Sequence, residues 1–142
     1  MNRLLALLAV LFALAAPACT NLLVGKKASK NGACFITYSA DSYGMYGRML
    51  HYPAGKHAPG TMRKIVDGDT HKPLGEIPEA PYTYNVVGNI NEHQVAITET
   101  TFGGREELWP KNPVGGIDYV SLMALGLQRA KTAREAIRVM TD

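Results

Sequence analysis

At 142 residues the chain has the length of one domain, or of part of one. It is 46% apolar and 19% charged with seven Tyr, three Phe and one Trp, a composition that excludes disordered, collagen-like and coiled-coil classes. Fifteen basic residues against twelve acidic ones leave a formal charge of +3 with no basic block, so nucleic acid is not the expected partner. Two cysteines are too few for a disulfide scaffold and have no metal-type spacing, so any cysteine chemistry depends on individual context.

Residues 1–18 (MNRLLALLAVLFALAAPA) combine one cation at Arg3, an apolar run from Leu4 to Ala16, and small residues at Ala16 and Ala18. The run is shorter than the roughly 20 residues that span a bilayer. Ala16-Pro17-Ala18 fits a small-x-small cleavage site, so the segment reads as a signal peptide and the mature chain as starting at Cys19. The expected location is secreted or periplasmic, with a form that does not span the membrane. A mature N-terminal cysteine has three readings. In a lipobox, Cys19 is thioether-linked to lipid, although the usual large aliphatic residue three positions earlier is here Ala16. After ordinary cleavage, Cys19 carries a free thiol and a free α-amine, a nucleophile with its own base. The two groups have pKa values near 8.5 and 8, so proton transfer between them is nearly isoenergetic. The third reading is a cysteine that merely lies near a cleavage site.

Thr20–Val24 is apolar and strand-like, and the polar GKKASKNG of residues 25–32 ends in the turn dipeptide Asn31-Gly32. Residues 33–39 (ACFITYS) form the expected partner strand, with Cys34 a buried member of it. An antiparallel hairpin returns residues 39–41 to the start of the first strand, within reach of Cys19 from Asp41. Residues 40–60 read as a long loop with short extended pieces. His51 and His57 lie there without carboxylate or cysteine partners at ligand spacing, so no metal is assigned and both are expected at the surface. Residues 61–66 are an expected strand, 67–73 a turn and 74–81 a connection. Asp67-Gly68-Asp69 is half of a calcium-loop pattern whose glycine and glutamate positions do not match. Two β-rich runs, 82–90 and 93–101, are joined at Asn91-Glu92 as a second hairpin, and 102–116 is a Gly/Pro-rich loop carrying Trp109.

Asp118 is the expected N-cap of a helix over residues 119–131, apolar nearly all round. Thr132-Ala133-Arg134-Glu135 is a capping box for a second helix, whose stripe is Ala133, Ala136, Ile137 and Met140. No C-cap follows, and the first helix has more apolar surface than 124 mature residues can cover, so the chain is expected to be an N-terminal fragment.

Four stretches together carry a resemblance: CTNLLVGKKAS from Cys19 to Ser29, YSADSYG from Tyr38 to Gly44, NEHQVAI from Asn91 to Ile97, and ETTFGGREE from Glu99 to Glu107. The chain resembles the dipeptidase A-type cysteine dipeptidases, cysteine peptidase family 69, relatives of the penicillin V acylases and bile salt hydrolases. The resemblance implies an α+β fold, the four-layer αββα architecture of N-terminal-nucleophile hydrolases, with residues 19–142 as the N-terminal portion of the catalytic domain. It implies Cys19 as nucleophile and Asp41 as the acidic residue that hydrogen-bonds beside it. Thr101 stands where related acylases carry an oxyanion-hole Asn, and Tyr38 where they carry an Arg. Thr101 is therefore the candidate oxyanion donor, and both departures turn the reading from acylases toward dipeptidases. The expected activity is hydrolysis of dipeptides through a thioester, without a cofactor. An acylase-like hydrolase of non-peptide amides and a lipid-anchored binding protein are the alternatives, and the oligomeric state is left open.

Overall fold

The computed structural model describes residues 19–40, 47, 49–68, 70–100, 105–108 and 116–142. It is a mixed helix and sheet structure, in agreement with the α+β expectation. The described residues fall into two compact units, one holding residues 19–40 and Thr100, the other the remainder.

The first unit is a hairpin. Strand β1 (Thr20–Val24) pairs antiparallel with β2 (Phe35–Ser39), from Thr20 opposite Ser39 to Val24 opposite Phe35. The connection is held by its own turns: the Ala28 N–H donates to the Gly25 carbonyl at 2.9 Å, and the Ala33 N–H to Asn31 Oδ1 at 3.2 Å. Gly32 follows with φ of +71°, which only glycine adopts without strain. The turn signal at Asn31-Gly32 is thus real, although it closes a longer loop and not a two-residue one. Leu22, Leu23 and Phe35 are exposed on the hairpin.

In the second unit, β5 (Met62–Val66) and β6 (Pro73–Pro78) form a hairpin that residues 74–81, expected as a mere connection, help to build. Two prolines and a glycine disguised β6. Pro73 and Pro78 sit at its ends, where a missing N–H is tolerated. Gly75, at φ of +145°, adjoins a register shift between Ile65 and Val66. The hairpin turn is closed by Asp67, whose carboxylate accepts from the Thr70 N–H and hydroxyl at 2.7 Å each. Before β5, Pro59 and Gly60 occupy the central positions of a turn in which the Thr61 N–H donates to the Ala58 carbonyl, with Gly60 at φ of +81°.

Short strands β3 (His51–Tyr52) and β4 (Gly55–Lys56) occupy the expected long loop, and β7 (Tyr82–Thr83), β8 (Val86–Val87) and β9 (Ile90–Asn91) follow. β3, β8 and β9 form one antiparallel sheet, while β4 pairs with β7. The expected single strand over 82–90 is therefore broken. Gly88, at φ of +56°, and Asn89 make a two-residue turn that opposes Val87 to Ile90. A second turn then runs through 91–94, with Gln94 at φ of +64°, and returns the chain so that Ala96 bridges Ile90. The expected turn at Asn91-Glu92 exists, but the strand expected over 93–101 contributes only that bridge among the described residues.

Helix α1 (Tyr119–Arg129) starts at Asp118, whose side chain accepts from the Val120 and Ser121 N–H groups, as expected of an N-cap. It ends two residues earlier than its apolar pattern suggests, because other groups take its last carbonyls. The buried Asn91 amide donates to the carbonyls of Leu127 and Ala130 at 2.8 and 2.7 Å, and the Tyr84 N–H donates to that of Gln128 at 2.8 Å. Helix α2 (Ala133–Thr141) follows after a capping box in which Thr132 accepts from the Glu135 N–H, while the Glu135 carboxylate accepts from the Lys131 N–H. Of its expected stripe, Ala136 is buried and Met140 half-buried, but Ala133 and Ile137 are exposed. The core comprises Val86, Val95, Leu127, Ala130 and Ala136, with Tyr52 and Ile97 packed on it.

Gly68 joins the β5–β6 turn to the start of α1. A Cβ there would lie 2.8 Å from Val120 Cβ and Cγ2 and 3.1 Å from Asp118 Oδ1. Gly68→Ala should therefore destabilise the protein by about 1–3 kcal/mol. Adding Val120→Ala should recover part of that loss in urea unfolding; a neutral single variant would contradict the close approach.

Candidate active site

Cys19 is half-buried with a free thiol, and it stands immediately before β1. The observed register is the expected one: with Thr20 opposite Ser39, the next residues in each direction are Cys19 and Ala40. Asp41 is the residue after that. Asp41 and Thr101, as well as residues 1–18, lie outside the described residues. The residue before Thr101 is described, and it reaches Cys19. Thr100 belongs to the hairpin unit, and its hydroxyl donates to the Cys19 carbonyl at 3.5 Å across 81 residues of chain. Sequence reading missed this residue. Nothing distinguishes it within the Thr-rich run Thr98-Glu99-Thr100-Thr101 except its place beside Thr101.

Cys34 departs from expectation. It is exposed and lies just before β2, not buried within the strand. Nor can it bridge to Cys19 across the hairpin. Cys34 adjoins Phe35 at the loop end of the ladder, whereas Cys19 is five residues back along β1 from Val24, the partner of Phe35. At ~3.3 Å per residue that is roughly 17 Å, against a disulfide limit near 7 Å between Cα atoms.

The histidines of the 40–60 loop have polar partners on neighbouring strands. His51 Nε2 lies 2.8 Å from Asn85 Oδ1, and His57 Nε2 lies 3.0 Å from the hydroxyl of the buried Thr83. His57 is itself half-buried, not a surface residue as its sequence context suggested.

Among the described residues, a charged cluster sits where β5, the end of β6 and α1 meet. Glu79 is paired with Arg129 at 3.0 Å and with Arg63 at 3.5 Å; Arg63 also bonds Gln128, and Arg129 donates to the Pro78 carbonyl. Burial raises the Glu79 pKa, but the Ala80 N–H, the Arg129 hydrogen bond and the charges of Arg63 and Arg129 outweigh it and hold the carboxyl below its usual range. These ion pairs and hydrogen bonds tie a hairpin to a helix, although Arg129 Nε is buried without a hydrogen-bond partner. Because the folded pKa is depressed, its contribution is complete above the unfolded glutamate value of about 4.3 and is lost as pH falls through the folded value. Glu79→Gln should lower stability at pH 7 by about 1–3 kcal/mol. The gap from the parent protein should narrow below pH ~4; a gap independent of pH would refute an ionic role.

Peptidase family C69 matches residues 46–142, more than half of the chain. The chain therefore belongs to this family, and its class is that of a cysteine peptidase, a hydrolase acting on peptides. The match contains Thr101 and the stretch from Asn91 to Glu107, and it leaves Cys19 and Asp41 outside. No solved structure matches the chain. No helix among the described residues is long and apolar enough to cross a membrane.

Proposed function

We propose that the protein is a secreted or periplasmic dipeptidase whose nucleophile is Cys19, exposed as the first residue when the leader 1–18 is removed, on the four-layer αββα scaffold. The observation that carries the reading is the position of Cys19: a free, half-buried thiol one residue before a strand, immediately after a leader-like segment, in a chain of a cysteine peptidase family. In the first step the Cys19 thiolate attacks the carbonyl carbon of the dipeptide. An S–C bond forms, the C–N bond breaks, and the leaving amine takes the proton that the α-amine had accepted from the thiol. Water then adds to the thioester, releasing the second amino acid and restoring the thiol. Asp41, which follows Ala40 in the chain, is assigned to holding the α-amine, and Thr101 to donating to the oxyanion. The substrates are dipeptides; no metal or cofactor takes part in this scheme.

The test is intact mass and N-terminal analysis of the full-length secreted protein, in a Cys34→Ala background because the exposed Cys34 would also be alkylated. A chain that starts at unmodified, rapidly alkylated Cys19 and cleaves dipeptides supports the reading. A diacylglyceryl adduct on Cys19, or an intact leader on an active enzyme, overturns it. Cleavage of non-peptide amides alone would transfer the protein to the acylase alternative.

A further inference from the structure

Resting on the reading of Cys19 as nucleophile, we infer that Thr100 is a positioning residue that anchors the nucleophile's own peptide group. Cys19 lies one position beyond the last paired residue of the β1–β2 ladder, where strand ends fray. Its thiol and its amine are one residue, so rotation of the peptide group that follows Cys19 turns both at once. The Thr100 hydroxyl donates to the carbonyl of that peptide group. Thr100 also clusters with the hairpin while its neighbour Glu99 belongs to the other unit, so the chain joins the nucleophile's unit at this residue. The Thr100 hydroxyl touches no reacting atom; it acts through the orientation of Cys19.

A hydroxyl is required for this and a methyl of the same shape is not enough, so Thr100→Val and Thr100→Ser separate the two. In the full-length protein Thr100→Val should lower kcat about three- to tenfold with KM unchanged, the scale of one hydrogen bond to an oriented group. It should also slow alkylation of Cys19 and shift its pH profile. Thr100→Ser should restore kcat and the alkylation profile to within twofold. If Thr100→Val does not fold, Thr100→Ala and Thr100→Ser are compared in its place. Equal kcat and alkylation in the Val and Ser variants, with Cys19→Ala inactive, overturns the role of Thr100 and leaves the nucleophile standing. An active Cys19→Ala overturns the nucleophile reading itself.

Discussion

Cys19→Ala is expected to lower dipeptide turnover by a thousandfold or more, because the other described thiol of the hairpin unit, Cys34, lies at the opposite end of the ladder and cannot take over the covalent step. The fold should tolerate it. Cys19 is half-buried and precedes the first paired residue of β1, so a methyl in place of its thiol opens no sizeable cavity and removes no ladder hydrogen bond. An unchanged urea midpoint with lost activity is thus the expected pair of results, and Cys34→Ala should change neither, since Cys34 is exposed at the opposite end of the ladder. Asp41→Asn should give an intermediate loss, measured as kcat/KM, with an unchanged midpoint. Full activity in Cys19→Ala would sink the nucleophile assignment.

Asn91→Ala is expected to have the largest effect on stability. The Asn91 side chain uses its whole hydrogen-bonding capacity: two amide protons to the Leu127 and Ala130 carbonyls, and Oδ1 accepting from the His93 and Val95 N–H groups at 3.0 Å each. The residue is 5% exposed, so water cannot replace these partners without local opening. Truncation leaves two carbonyls and two N–H groups unsatisfied, for a loss of about 3–5 kcal/mol. That is a large fraction of the 5–15 kcal/mol typical of a domain. Asn91→Asp keeps the acceptor but turns a carboxylate oxygen toward two carbonyl oxygens, so it should be as damaging at pH 7 and less so at pH 4, where a protonated acid donates once. Urea unfolding of the three proteins at both pH values checks this; a loss below 1 kcal/mol for Asn91→Ala would show that the helix end finds other partners.

What could be read from the sequence is unevenly divided. Local signals survived folding: Asp118 and Thr132 cap their helices, and Asn31-Gly32 turns the chain. The hairpin register followed from two short β-rich runs, and so did the return of Ser39 to the start of the first strand, beside Cys19. Errors arose where a partner distant in sequence decides the outcome. β6 could not be recognised from Pro73-Leu74-Gly75-Glu76-Ile77-Pro78, because only pairing with Met62–Val66 makes that composition a strand. Asn91 read as a turn residue, which it is, but its amide is committed to carbonyls 36 and 39 residues away. Its neighbours encode no such distance. At the candidate site, Cys19 was legible through the leader-like segment before it, whereas Thr100 acquires meaning only when residue 100 is brought to residue 19.

The hairpin around Cys19 also separates what can be re-engineered from what cannot. The hydrogen bonds within its connecting loop are local: Ala28 to Gly25, Ser29 to Lys26, Gly32 to Ser29, and Ala33 to Asn31. Extra residues spliced between Lys30 and Asn31 would lengthen an exposed tip while every cross-strand partner from Thr20 to Ser39 stayed as it is. One residue deleted inside Phe35–Ser39 would instead slide the far half of the ladder, turn its side chains to the other face, and bring a different residue across from Cys19. An affinity tag or fluorescent label therefore belongs at that tip, where the proposed N-terminus at Cys19 is left untouched.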